Sequence, residues 1–346
     1  MMRGRTVFVS LLLFLVMLVS APAGAQALPS NGDAKEILDR VFIAMNLRKP
    51  GSPPFHLLAH VRYEVDGKPE DGTYEMLWSG SLHYREIFKL AGAEEIRVAL
   101  DDKMYTSRTS TAITLPVRNV RELMQSPVPG DLMVDLDIGK VATEQVEGQP
   151  RTCIHVTKSD ANTKQHASEL VCFDPQTKEI ASISAEGNLD NLPMKVQLAS
   201  FESLGVKRYP MHLTSFVHFA NMLPVTMDVT VDTLENVTKF DGDPFVPPPG
   251  SAVRDWCPTL SEAPSLEDSS RPTFTQAEIK NLSPFFVLVG ADGRVKQADP
   301  VRQSADTKNE ERIKSWLKTA RFPIQNCGTQ AVEYETFYTP ELKVNY

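Results

Sequence analysis

Leu57-Leu58-Ala59-His60-Val61-Arg62-Tyr63-Glu64-Val65 decides the fold, because Leu57, Ala59, Val61, Tyr63 and Val65 recur at every second position. A side-chain period of two puts all five on one face of a strand. Val225, Met227, Val229 and Val231 repeat the pattern. Between Phe55 and Phe245, runs of this kind are separated by Asp66-Gly67, Asp71-Gly72, Glu147-Gly148 and Asp174-Pro175, which read as turns. The regular spacing predicts one long antiparallel meander. A short helix is expected at Asn119 to Gln125, where Val120, Leu123 and Met124 share a face.

Upstream, Ser30-Asn31-Gly32-Asp33 offers helix caps, and Ile37, Leu38, Val41, Phe42 and Met45 recur at helical spacing over Ala34 to Met45. Lys49-Pro50-Gly51-Ser52-Pro53-Pro54 stops that helix. Further upstream, Arg3 and Arg5 precede the apolar run Val7 to Val19, and Ala21-Pro22-Ala23-Gly24-Ala25 supplies small residues. This is the pattern of a Sec signal peptide, residues 1–25, cleaved near Ala25-Gln26 and placing the mature chain in the periplasm. The alternative is an uncleaved inner-membrane anchor, for which Val7 to Ala25 is just long enough.

The 346 residues suit two domains plus a leader and a linker. Loss of Arg3 and Arg5 leaves 34 basic against 44 acidic side chains, a net charge of −10. That balance, with no basic cluster, argues against nucleic acid and against anionic headgroups as partners. In an exported chain four cysteines point to disulfides. Cys153 and Cys172 lie on strand-like segments joined by a polar loop, so a cross-strand bridge is natural, and Cys257 and Cys327 remain for each other. One pair staying reduced is the alternative.

Pro247-Pro248-Pro249-Gly250 closes the meander, and Pro258, Pro264 and Pro272 mark a semi-rigid linker over 251–271. Beyond it, Phe285-Phe286-Val287-Leu288-Val289 runs into a turn at Asp292-Gly293, followed by a strand, a helix and another strand. Ile313, Trp316, Leu317 and Ala320 share one helix face. The last strand, Ala331, Val332, Glu333, Tyr334, Glu335, Thr336 and Phe337, is a candidate partner-binding edge.

Two resemblances follow. The helix Ala34 to Met45, Gly72-Thr73-Tyr74-Glu75-Met76-Leu77-Trp78-Ser79 with Tyr84-Arg85, and Val171-Cys172-Phe173-Asp174-Pro175-Gln176-Thr177-Lys178 resemble the LolA family of periplasmic lipoprotein carriers. Tyr209-Pro210-Met211-His212-Leu213 and Phe245-Val246-Pro247-Pro248 extend the likeness to about Gly250. It implies an antiparallel half-barrel over 26–250 that holds lipid or lipoprotein acyl chains beneath its N-terminal helix. Val287-Leu288-Val289, Gly293-Arg294-Val295, Trp316 and Arg321-Phe322-Pro323 resemble the TonB C-terminal domain. That implies a small ββαβ module over 272–346 that pairs its last strand with an outer-membrane receptor or other envelope protein. The spacer from Gly250 to Pro272 reaches at most ~75 Å, too short for the periplasm-crossing rod of an energy transducer.

The expected fold is therefore mainly β plus α+β. No chemistry is expected. His56 and His60 stand about 13 Å apart along a strand, too far to share a metal, and His212 and His218 are no better placed. Glu94-Glu95 and Asp101-Asp102 are adjacent acids whose side chains point to opposite strand faces. No nucleophile elbow, phosphate loop or zinc-protease motif occurs, so neither an enzyme, a cofactor nor a metal is predicted.

Overall fold

The structure, a computed structural model, describes residues 31–48, 51–65, 67–90, 92–107, 115–127, 136–159, 166–174, 176–186, 194–217, 224–257, 272–279, 282, 284–300, 307–338 and 340–342. The expected leader and most of the expected linker lie outside these residues.

The chain opens with helix α1 (Asn31–Met45) and continues into β1 (Phe55–Val65), β2 (Lys68–Gly80), β3 (His83–Leu90), β4 (Ala93–Leu100) and β5 (Lys103–Thr106). Helix α2 (Leu115–Gln125) interrupts the strands, as the apolar spacing predicts, though it starts earlier. Then come β6 (Leu136–Val146), β7 (Gln149–Ser159), β8 (His166–Phe173), β9 (Ile180–Glu186), β10 (Met194–Leu204), β11 (Lys207–Val217) and β12 (Val225–Asn236). They form one antiparallel sheet in the order β5-β4-β3-β2-β1-β12-β11-β10-β9-β8-β7-β6. Thus β1 pairs with both β2 and β12, and the sheet is open where α2 separates β5 from β6. The expected half-barrel is met as an open antiparallel sheet with one covered face.

Two local readings need correction. Asp71-Gly72 makes no turn; it lies inside β2, opposite Arg62 and Val61. Gly72 is there for space, since a Cβ would stand 2.2 Å from the Lys89 carbonyl on β3. The segment Ala252–Asp255, assigned to the linker, is strand β13, which pairs with β5 and adds a thirteenth strand at the sheet's open edge. Proline is absent from this short stretch, so its backbone can donate to the ladder, and Asp255 pairs with Lys103 of β5 at 2.5 Å. Glu147-Gly148, by contrast, is a tight turn between β6 and β7 with both φ angles positive, at 52° and 76°.

The inner face of the sheet carries a continuous core. Phe55, Leu57, Ala59, Val61 and Tyr63 of β1 are buried beside Tyr74, Met76 and Trp78 of β2 and Val225, Met227, Val229 and Val231 of β12. Helix α1 covers part of it with Leu38, Phe42 and Met45, and α2 covers more with Val117, Val120, Leu123 and Met124.

The C-terminal part has β15 (Phe285–Val289), β16 (Val295–Pro300), α4 (Thr307–Leu317) and β19 (Tyr334–Tyr338), with the short β14 (Thr273–Phe274), α3 (Gln276–Ile279), β17 (Gln325–Cys327), β18 (Gln330–Val332) and β20 (Glu341–Leu342) around them. Strands β16, β15 and β19 make a three-stranded antiparallel sheet with β15 central. Phe285, Val287 and Val289 of β15 join Ile313 and Leu317 of α4 in a second core. Phe286 and Leu288, on the opposite face of β15, belong to the core of the large sheet. All five residues of β15 are buried because each face meets a different partner.

Disulfides join Cys153 to Cys172, which are directly paired on β7 and β8, and Cys257 to Cys327. The second ties the residues just after β13 to β17 in the C-terminal module.

Candidate functional site

The inner face of the large sheet, with what covers it, is the place where ligand chemistry can occur. Pairing of Tyr84 with Ala99, Glu86 with Arg97 and Phe88 with Glu95 puts these side chains on the inner face of β3 and β4. Pairing of Arg97 with Thr106 and of Met104 with Arg254 carries that face on through β5 to β13. The apolar surface therefore ends, at the open edge, in a charged border.

Glu335 of β19 meets that border. It lies opposite Leu288 in the register of β15 and β19 and shares its face. Arg97 Nη2 donates to its carboxylate at 3.0 Å, Arg254 stands at 2.6 Å and Arg121 of α2 at 3.7 Å. Arg97 also has Glu95 at 3.9 Å, and the Arg97 and Glu95 side chains are only 4% and 2% exposed. Three guanidiniums from three elements thus converge on one carboxylate, and with Glu95 the group keeps one net positive charge. Burial pushes the Glu335 carboxyl up, but Arg254 and Arg97 outweigh it and hold the pKa below the ordinary carboxylate value. For Arg97 burial opposes the charge, Glu335 and Glu95 more than offset it, and its pKa is raised. For Arg254 burial prevails over Glu335, and its pKa is lowered. A pocket of about 60 Å³, room for a few waters, sits at the seam between Arg97, Met104, Arg254, Leu288 and Glu335.

A second polar group lies deeper. Glu86, 1% exposed, accepts from Tyr74 Oη at 3.0 Å and from Gln125 Nε2 at 2.7 Å. Arg48, just past α1, donates to Tyr84 Oη at 3.1 Å and lies over the Tyr84 and Trp78 rings at 4.7 and 5.7 Å, a cation–π arrangement. Burial opposes its charge, but Tyr84 and Glu86 raise its pKa. Tyr209 Oη donates to the Met124 carbonyl at 2.7 Å, joining β11 to the last turn of α2. Lys207 Nζ donates to the Ile43 carbonyl at 2.9 Å, one of the last carbonyls of α1. Both helices are therefore held to the sheet by polar anchors as well as by apolar packing, α2 also through Gln125 to Glu86 and Asn119 to Tyr63.

The stretch expected to form one edge strand divides in two. Ala331 and Val332 lie on β18 and pair with Asn326 and Gln325 of β17. Glu333 falls between strands and pairs with Lys296 of β16. Tyr334, Glu335, Thr336 and Phe337 lie on β19, the outermost strand of its sheet. The Cys257–Cys327 bridge holds the β17–β18 hairpin away from that line. Of the expected edge residues, Glu335 meets the border of the large sheet and Glu333 lines the same pocket, while Arg97, Arg121 and Arg254 were not foreseen. The available signal was a charged residue in phase with buried ones, as in Glu95 and Arg97 on β4, where Glu94 is exposed and Glu95 buried.

His218 lies outside the described residues, and the other histidines singled out in the sequence meet acidic neighbours near the surface. His56 pairs with Glu75 at 2.9 Å and Glu235 at 3.5 Å, His60 with Asp232 and His212 with Asp228. Among the described residues no group of three or more His, Cys, Asp or Glu could hold a metal ion, and no helix is long and apolar enough to cross a membrane.

No family model and no curated protein matches the chain. Solved structures do. They include a LolA superfamily protein from Nitrosomonas europaea, 11% identical, covering 60% of this chain and 94% of that one with a TM-score of 0.39. An outer membrane lipoprotein-sorting protein domain from Vibrio parahaemolyticus is 10% identical over 62% of this chain and 97% of its own, with a TM-score of 0.36. A DUF1329 family protein from Desulfovibrio piger is 12% identical over 62% and 95%, with a TM-score of 0.37. The neighbours are lipoprotein-carrier-like folds at low similarity. Likenesses this loose place the chain in no family, and they lend no support to the TonB resemblance.

Proposed function

We propose that the protein is a non-catalytic envelope protein that binds lipid or lipoprotein acyl chains on the inner face of its open sheet. The observation that carries this reading is the cover. A continuous apolar face on β1, β2 and β12 is covered by two helices and by one face of the small β16-β15-β19 sheet, each a separate segment of the chain. Sheets that serve only as scaffold bury such a face permanently; one closed by separable segments can trade them for an acyl chain at about 0.8 kcal/mol per buried methylene. The 60 Å³ pocket is too small for a chain, so entry requires part of the cover to move. In this reading a leader cleaved near Ala25 exports the chain, the carrier unit runs to about Gly250, and a module over 272–346 follows the linker.

Native mass spectrometry of protein purified from the periplasm tests it. The expected result is a non-covalent lipid adduct, with uptake of a fluorescent fatty acid by the delipidated chain; an empty protein that takes up no lipid removes the reading.

One observation favours a second role. Strand β19 is outermost in its sheet, so an extended segment of an outer-membrane receptor or other envelope protein could add to it by main-chain pairing. Tyr334→Pro, with near-ultraviolet circular dichroism to verify the fold, should abolish receptor capture; undiminished capture ends this role.

A further inference from the structure

We propose that the C-terminal module occupies the inner face as an internal stand-in for the ligand, and that the ligand is an anionic amphiphile whose headgroup replaces the Glu335 carboxylate among Arg97, Arg121 and Arg254. This rests on the lipid-binding reading above and adds to it a headgroup subsite, a ligand class and a means of control.

The module presents to the large sheet the two parts of such a molecule. Phe286 and Leu288 enter the apolar core of the inner face, and Glu335, on the same face of the small sheet, delivers a negative charge to its border. The receiving side is preassembled from the large sheet and its helix: Arg97 from β4, Arg254 from β13 and Arg121 from α2. If the module swings away, those three guanidiniums keep two near carboxylates, Glu95 at 3.9 Å from Arg97 and Glu86 opposite it on β3. The vacated border, then opened on one side, retains an excess of positive charge that attracts an anion. Guanidinium forks match planar carboxylates and phosphates. A neutral lipid would satisfy the apolar face and leave that positive excess unmatched, which is the basis for discrimination. The Cys257–Cys327 bridge keeps the displaced module close to β13, so the module competes at high effective concentration and returns when the ligand leaves.

The test uses the full mature chain with three probes: a fluorescent palmitate, phosphatidylglycerol in vesicles and neutral diacylglycerol. Glu335→Ala should bind palmitate or phosphatidylglycerol about tenfold tighter than the unaltered chain, a change equivalent to about 1.4 kcal/mol. The probe that gains more identifies the headgroup as carboxylate or phosphate. Adding Arg97→Gln and Arg254→Gln should erase that gain and narrow the difference between the anionic probes and diacylglycerol. Because Glu335→Ala alters a buried network, a second measurement leaves the network intact. All four cysteines are in disulfides, so spin labels can be placed at exposed Thr226 on β12 and Ser315 on α4 through Thr226→Cys and Ser315→Cys. Their separation should lengthen on saturation with the anionic probe. Equal binding of charged and neutral lipid by every variant, or an unchanged label distance with lipid bound, overturns this proposal while sparing the lipid-binding reading. Absence of any lipid uptake in all variants overturns both.

Discussion

Arg97 on β4 and Glu335 on β19 are 238 positions apart in the chain and share a 3.0 Å charge-assisted hydrogen bond, with the arginine side chain 4% exposed. The contact adds a charged link to the two cores that β15 already joins through its opposite faces. Its energetics differ from those of a surface pair, because removing one partner leaves the other charged and largely dry.

Glu335→Gln should therefore cost roughly 3 kcal/mol in the denaturant stability of the full chain. Combining it with Arg97→Gln should cost less than the sum of the two single changes. A double-mutant cycle from urea titrations measures this coupling; strict additivity would mean that the two side chains do not act as a pair.

Acid should loosen the same contact. The folded pKa of Glu335 lies below its unfolded value, near 4.3 for a free glutamate, so its contribution is complete above the unfolded pKa and is lost as pH falls through the lowered folded one. The groups facing it are Arg97 and Glu95 on β4, Arg254 on β13, Arg121 on α2 and neighbouring Glu333. Between about pH 5 and pH 3 stability should drop, and the Glu335→Gln chain should show a smaller drop. Matched urea titrations across that range decide it.

Replacing both Cys257 and Cys327 by serine should lower stability by up to ~4 kcal/mol on the chain-entropy model, because the bridge closes a separation of 70 residues. Replacing Cys153 and Cys172 closes off a separation of only 19, between strands already paired, and should cost less. Thermal unfolding of the two double variants ranks them; the opposite order would show that the module stays in place without its tether.

Tyr209→Phe removes the hydroxyl that satisfies the Met124 carbonyl at 2.7 Å in a buried setting. A loss of about 1–3 kcal/mol is expected, accompanied by faster amide hydrogen exchange in α2. Exchange unchanged across Leu115–Gln125 would show that the remaining contacts of α2, its apolar packing and the bonds from Gln125 to Glu86 and Asn119 to Tyr63, hold the helix without the Tyr209 hydroxyl.

Gly293→Ala should be among the most damaging single-methyl additions. Its φ is +75°, and the new Cβ would stand 2.5 Å from the Phe322 carbonyl, a backbone atom that cannot swing aside. Gly250 also has a positive φ but has open space around it, so Gly250→Ala carries only the conformational strain, about 1 kcal/mol. Paired melting curves should separate the two.

Local pattern made much of this architecture readable. The alternation at Leu57 to Val65 gives the buried row of β1, the helical spacing of Leu38, Phe42 and Met45 gives the packed face of α1, and the strand-like surroundings of Cys153 and Cys172 give their pairing. What escaped was long-range. Ala252-Val253-Arg254-Asp255 sits among prolines and reads as spacer, because nothing local announces the free edge of β5 that recruits it. In the sequence Glu333, Glu335 and Phe337 alternate with Tyr334 and Thr336, so the glutamates read as a solvated face. Only the arginines on β4, α2 and β13 make that face an interior one, and pairing across such separations leaves no periodic trace in the chain.

The placement of β1 between β2 and β12 sets a timetable for the emerging chain. Strands β1 to β5 can form as hairpins as soon as they emerge, but β1 keeps a bare hydrogen-bonding edge until Val225–Asn236 arrives. Throughout that interval the nascent protein carries an open ladder and an uncovered apolar surface, the two properties that make chains stick to one another. A message truncated before residue 225 would thus yield a product with its worst adhesive edge permanently exposed.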